Sequence, residues 1–174
     1  MRYSKIVLSI YTGYMKTRYY KGSVECLNLS IRRRGFSHER DLVIKLWKKG
    51  FAVIRAPASG SKAKRMVYPD VVAIRNGITI VFEVKSSSRA RDIYIDSKQI
   101  HKLIEFSKRA GGFSYIAIKL IGTGEWRFVS TDMLVKTASG RFKVSREAIE
   151  KGLSLKELVS ITGKFKKLDE FLNR

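Results

Sequence analysis

The sequence predicts an α/β fold, a mixed central β-sheet flanked by helices, occupying residues 35–160. Three observations predict it. The elements run in the order helix, several strands, helix, strands. Two apolar strands meet at Asn76-Gly77, the strongest short-range hairpin signal, because a type I′ turn needs positive φ at both central residues. Two helical segments carry apolar residues three and four apart, so each has one face suited to covering a sheet.

Residues 1–34 mix Tyr, Lys and Arg without a sustained period and end in Arg32-Arg33-Arg34. Three readings stay open: a disordered basic arm for nucleic acid, an added strand, or translated sequence ahead of an internal start at Met15. From Gly35 the pattern sharpens. Ser37 caps a helix running to about Lys49, where Gly50 stops it. Leu42, Val43 and Leu46 form its buried stripe, and Trp47 extends it. Phe51–Arg55 is a short strand, and Pro57–Arg65 a small-residue, basic loop. Asp70–Arg75 and Ile78–Lys85 are the arms of the hairpin. About Ser97–Ala110 is the second helix, with Ile100, Leu103, Ile104 and Ser107 along one face and Gly111-Gly112 ending it. Phe113–Leu120 and Trp126–Ser130 are two more strands. Ser154-Leu155-Lys156-Glu157 is a capping-box pattern that opens a short helix, and residues 161–174 read as a tail. There is no internal repeat and no low-complexity tract.

Charge narrows the partner. Thirty-six Lys and Arg against fifteen Asp and Glu leave a net charge of +21 and a pI near 10.3. Such a surface favours phosphate contacts and fast encounter with polyanions. A ribosomal or architectural protein explains it equally well, so charge says nothing of catalysis. The single Cys26 excludes an intramolecular disulfide and fits a reducing compartment. With one cysteine, His38 and His101 cannot complete the usual structural zinc site, and both read as surface residues. No apolar run approaches the roughly 20 residues a membrane span needs, and Ile6–Tyr11 is shorter than a signal-peptide core. The expectation is a soluble, cytoplasmic protein.

The hairpin register carries the chemistry. With Asn76 and Gly77 as loop residues, Arg75 pairs with Ile78, and the same register sets Asp70 opposite Glu83. Directly opposed residues share a face, and like charges there are destabilising. Lys85, two residues on, projects from that face too. Their strand neighbours Val71, Val72, Ala73, Ile80, Val81, Phe82 and Val84 are apolar on both faces, as in a strand buried on both sides. A divalent cation accounts for two facing carboxylates at the end of a buried hairpin. Mg²⁺ takes one or two carboxylates and keeps waters and phosphate oxygens in its other positions. It also acidifies bound water and polarises phosphate, while a nearby lysine orients that water or offsets charge on phosphorus. The constellation reads as phosphodiester hydrolysis. For any one of these residues a turn aspartate or an exposed strand charge would suffice; for three in register it does not.

Glu39 lies three, four and seven residues before Leu42, Val43 and Leu46, so it points with the buried stripe. An acid favouring the positive helix N-terminus is the plainer alternative. Ser59 sits in a Gly-Ser loop where turn chemistry alone accounts for small hydroxyls. Arg55, Lys62, Lys64 and Arg65 around it could hold phosphates or be solvated. Gln99, near the start of the second helix, could contact water or the scissile phosphate, or be an exposed helix glutamine.

Pro69-Asp70 and Glu83-Val84-Lys85 resemble the PD-(D/E)XK nuclease signature. The longer run is similar to the archaeal Holliday junction resolvases: Gly35, Glu39-Arg40 and Leu42, then Gly50-Phe51-Ala52-Val53, Arg55-Ala56-Pro57-Ala58-Ser59-Gly60-Ser61, then Leu103-Ile104-Glu105-Phe106 into Gly111-Gly112. The similarity covers about Gly35 to Val159. It implies a restriction-endonuclease-like core and a homodimer that nicks opposed strands of four-way DNA junctions with Mg²⁺ or Mn²⁺. By position it implies Glu39, Asp70 and Glu83 as the acidic metal site, with the Val84 backbone carbonyl. Lys85 would be the catalytic lysine, and Ser59 a serine near the scissile phosphate. Arg40, Arg55, Ser61, Lys62, Lys64 and Arg65 are the candidate DNA contacts. Leu168-Asp169-Glu170-Phe171-Leu172 is similar to the hydrophobic half of sliding-clamp-binding peptides, but lacks their leading glutamine and second aromatic; a frayed amphipathic tail competes with that reading. Two rivals remain: a related nuclease acting on flap, damaged or duplex DNA, and a non-catalytic basic DNA-binding protein.

Overall fold

A computed structural model describes residues 37–56 and 68–163. The chain divides between Ser37 and His38 into two units, and every described residue except Ser37 belongs to the second. Residues 37–47 form helix α1. Leu42 and Leu46 are fully buried and Val43 packs beside them. Trp47 corrects the expectation: it is 66% exposed, because one step past Leu46 turns it about 100° away from the buried stripe. The helix ends at Gly50, at φ 83°. There the Phe51 N–H donates to the Leu46 carbonyl and the Gly50 N–H to that of Trp47, a Schellman pattern that requires a left-handed residue.

Strands β1 (Ala52–Arg55), β2 (Val71–Arg75) and β3 (Ile78–Ser87) follow. Asn76 and Gly77 sit at φ 51° and 75°, as the turn demands, and the ladder runs from Arg75↔Ile78 to Val71↔Phe82. β2 starts one residue later than expected and β3 extends two further. After β4 (Ile93–Ile95), helix α2 (Ser97–Arg109) crosses over to β5 (Phe113–Leu120), which pairs parallel with β3; β6 (Trp126–Ser130) pairs antiparallel with β5. Asp96 caps α2 by accepting from the Lys98 N–H at 2.8 Å. Its exit packs Gly112 so tightly that an added Cβ would lie 2.3 Å from the Thr79 carbonyl oxygen. The main sheet thus has the order β1-β2-β3-β5-β6 and is mixed.

The short segments η1 (Thr131–Met133), β7 (Val135–Lys136), β8 (Phe142–Val144) and α3 (Arg146–Glu150) escaped the sequence reading, and β4-β8-β7 form a second sheet. Strands of two or three residues are too short to show an alternation. Helix α4 (Leu155–Gly163) opens on the expected capping box: the Ser154 N–H donates to Glu157 Oε2 at 2.7 Å, and the Glu157 N–H to Ser154 Oγ at 3.3 Å.

Two cores flank the main sheet. Leu42, Leu46, Phe82, Phe128 and Leu158 pack α1 and α4 on one face; Val81, Ile100, Leu103, Ile116 and Ile149 pack α2 and α3 on the other. Central β3 alternates between them and is buried on both sides. Polar bonds fix the layers in place. Asn76 Nδ2 donates to the Thr162 carbonyl at 3.1 Å, and Arg75 Nη1 to that of Val159 at 3.0 Å, tying the hairpin turn to α4. Asp41 Oδ2 on α1 accepts from Lys119 Nζ at 2.9 Å and Trp126 Nε1 at 3.0 Å, tying α1 to β5 and β6. No helix among the described residues is long and apolar enough to cross a membrane.

Candidate active site

The site forms where β2 and β3 part. Pro69 is buried and Asp70 lies just before the β2 ladder. On one side its carbonyl accepts from the Ala56 N–H, continuing the β1 pairing. On the other its carboxylate replaces a backbone rung: the Val84 N–H donates to Asp70 Oδ2 at 2.8 Å. Glu83 and Lys85 leave β3 on the α2 side of the sheet, beside Ile116 and Ile118 in the β5 register. Lys85 Nζ lies 2.7 Å from Glu83 Oε1, and Gln99 Nε2, from the first turn of α2, donates to that same oxygen at 3.1 Å. Glu83 is 8% exposed, a buried acid whose partners are both at one oxygen.

Electrostatics describe a strained set of acids. Burial pushes the Glu83 carboxyl above the usual carboxylate range; Lys85 opposes this and the Asp70 charge adds to it. Burial likewise raises Asp70, against the Val84 N–H and Lys85. Glu39 on α1 is raised by burial too, opposed by its hydrogen bond from Arg55, with Asp70 and Lys85 acting on it through space. Glu83 senses the charges of both Asp70 and Glu39, and Glu39 senses that of Asp70.

The expected third ligand is differently engaged. Arg55 Nη1 holds Glu39 Oε2 at 3.0 Å, and among the described residues no three acids converge as a ready cation cage. The donor set at hand is therefore Asp70 and Glu83, two hard carboxylates, which suits the one or two that Mg²⁺ takes. Asp70 Oδ1 and Glu83 Oε2 accept no hydrogen bond among the described residues. Buried acids with raised pKa values and open oxygens fit a cation that relieves their repulsion.

Of the candidate DNA contacts, Arg40 is exposed, and Arg55 is paired with Glu39. Ser59, Ser61, Lys62, Lys64 and Arg65 lie outside the described residues, as do residues 1–34 and Leu168–Leu172. Gln99 makes a contact the sequence reading missed: its amide donates to Glu83 Oε1, while the residue itself is exposed. The available signal was Asp96, whose N-cap sets the first turn of α2 over the end of β3. His38 also departs from expectation. It is half-buried, with its Nε2 out of solvent and unpartnered among the described residues. His101 is exposed, edge-on to Phe142.

Comparison with known proteins places the chain in a family. Residues 30–167 match the family model described as archaeal Holliday junction resolvase (Hjc). The chain is 44% identical over 145 residues to the crossover junction endodeoxyribonuclease Hjc of Sulfurisphaera tokodaii, covering 82% of this chain and 99% of that one. It is 40% identical to the Hjc of Sulfolobus acidocaldarius, over 83% of this chain and all of that one. The solved structure of Archaeoglobus fulgidus Hjc, described as a Holliday junction resolvase from an archaeal hyperthermophile, superposes with a TM-score of 0.66 at 32% identity, over 72% of this chain and 99% of that one. With the matched model spanning most of its length and these relatives covered almost in full, the chain belongs to the archaeal Holliday junction resolvase (Hjc) family.

Proposed function

We propose that this protein is a structure-selective endonuclease that resolves four-way DNA junctions by metal-dependent phosphodiester hydrolysis. The observation that carries the reading is the buried Asp70, Glu83 and Lys85 set at the parting of β2 and β3. Family membership supplies the substrate, since the relatives are named for junction cleavage.

In this reading Asp70 and Glu83 hold Mg²⁺, with Mn²⁺ as substitute, and the Val84 carbonyl assists. The cation, when bound, would supply a more acidic water and a polarised scissile phosphate. Gln99 and Lys85 both grip Oε1 of Glu83, so Oε2 would be the oxygen left to hold a cation. Lys85 Nζ, 2.7 Å from Glu83 Oε1, would orient the attacking water or offset charge on phosphorus. Glu39 adds the third acid once phosphate draws Arg55 away. Ser59 stands near the scissile phosphate, and Arg40, Arg55, Ser61, Lys62, Lys64 and Arg65 contact the backbone, positioning the junction without reading its bases. Among the described residues each chain carries one such acid pair, so two opposed cuts call for a homodimer. A DNA substrate and a lone cysteine suit the cytoplasm.

The test compares cleavage of a four-way junction with linear duplex, flap and single strand, with and without Mg²⁺. Metal-dependent cutting of the junction is expected to dominate. Preferential cutting of duplex or flap would transfer the chain to a related nuclease activity, and binding without cutting would make it an architectural protein.

A further inference from the structure

Beyond β3 the chain forms a basic cleft that the active site does not use. A cavity of about 600 Å³ is lined by Arg89, Ala90, Arg91, Asp92, Arg146 and Glu150. Buried Ser87 shapes the entry by donating its hydroxyl to the Arg89 carbonyl at 2.7 Å. Ala90 packs on the core shared with α2 and α3, while Arg89 and Arg91 on either side of it are exposed.

The acids of the cleft are already engaged. Asp92 accepts from Lys143 Nζ at 3.2 Å and from the Arg146 backbone N–H at 2.8 Å. Glu150 accepts from Arg146 Nε at 2.7 Å. Among the described residues Arg89 and Arg91 have no acid partner, so two guanidinium groups face solvent with their charge uncompensated. Planar guanidinium forks match phosphate bidentately.

Position selects the ligand. Ala90 packs on the same face of the sheet from which Glu83 and Lys85 project. Arg89 and Arg91 follow Lys85 by four and six residues, a chain reach of at most about 14 and 21 Å. One strand of a duplex carries a phosphate about every 3.4 Å of helix axis, so that reach covers a few nucleotides. We infer that the Arg89–Arg91 cleft is a second phosphate-binding site, which grips the DNA backbone a few nucleotides from the phosphate held at Asp70, Glu83 and Lys85. This rests on the proposed nuclease reading for the location of the cut, but its test does not depend on cleavage.

Full-length R89A/R91A is compared with K48A/K49A, which removes the same charge from exposed lysines at the end of α1. Junction affinity is measured in chelator across a salt series, where no metal-dependent cutting occurs. Loss of two phosphate contacts per subunit, four in the homodimer, is expected to flatten the slope of log K against log salt by about 3.6, with weaker binding at low salt; K48A/K49A should leave the slope unchanged. R89Q/R91Q serves as a second pair if R89A/R91A melts early. Equal slopes for the arginine and lysine pairs overturn the cleft. Wild-type junction cleavage is scored alongside. A flattened slope without cleavage keeps the cleft as a DNA site and removes the nuclease, whereas cleavage with equal slopes does the reverse.

Discussion

Asp70 accepts the backbone N–H of Val84 through Oδ2 at 2.8 Å. A side chain thus completes a rung that the strand backbone leaves open, and it fixes the carboxylate beside Glu83. Asparagine can make the same bond through its amide oxygen, so D70N should fold normally. We expect D70N and E83Q each to lower junction cleavage by three orders of magnitude or more, equivalent to about 4 kcal/mol of barrier, while junction affinity is kept because it rests on Lys and Arg. Wild-type cutting rates in both variants would refute the assigned acids.

The raised acids set a pH dependence. A carboxylate raised in the fold contributes stability that is complete below its unfolded pKa, near 4, and is lost as pH climbs through the folded value. In chelator, Asp70, Glu83 and Glu39 should therefore cost stability as pH rises from about 4 toward neutrality. D70N should melt above wild type at pH 7 and with it at pH 4. Asp41 works in the opposite sense. Burial acts to raise it, but hydrogen bonds from Lys119 and Trp126 hold it low, so its contribution disappears as pH falls. Melting curves across that range decide the matter; D70N melting below wild type at pH 7 would contradict it.

Gln99 acts through Glu83. Removing a group that orients a ligating carboxylate typically costs about 10–100-fold in metal affinity. Q99A should accordingly raise the Mg²⁺ concentration for half-maximal cleavage by about that factor, with junction binding in chelator unchanged. A slower rate at an unmoved metal requirement would place Gln99 in some other role.

Asn76 has two jobs that substitutions separate. Alanine at its positive φ costs about 1–2 kcal/mol and also loses the bond to Thr162, worth about 1 kcal/mol. Glycine accepts the conformation and loses the bond alone. Urea unfolding should therefore rank wild type, N76G and N76A in falling stability. Equal losses for the two variants would show that turn geometry contributes little.

The main sheet was legible because its strands are long enough to show their pattern and Asn76-Gly77 fixes one register. Asp70, Glu83 and Lys85 followed from that register alone. The second sheet was not legible, since β4, β7 and β8 hold only two or three residues each and depend on pairing across the chain. Trp47 was misplaced because an apolar residue beside a stripe looks the same in sequence whether it packs or not. The Arg55–Glu39 pair and the Gln99 contact were hidden for a related reason: periodicity tells which way a side chain leaves its element, but not which distant group it meets.

Asp41 lies two residues beyond Glu39, and both hydrogen bonds it receives come from the far strands of the sheet. Apolar packing resists lifting a helix away but offers little resistance to sliding it along its axis or rolling it. Directed bonds to one carboxylate oxygen do resist both motions. The edge opposite the acids therefore acts as a set-screw for α1: a shift of one residue, about 1.5 Å, would cost the contacts to Lys119 and Trp126, so the bonds that seat Asp41 also keep Glu39 in place.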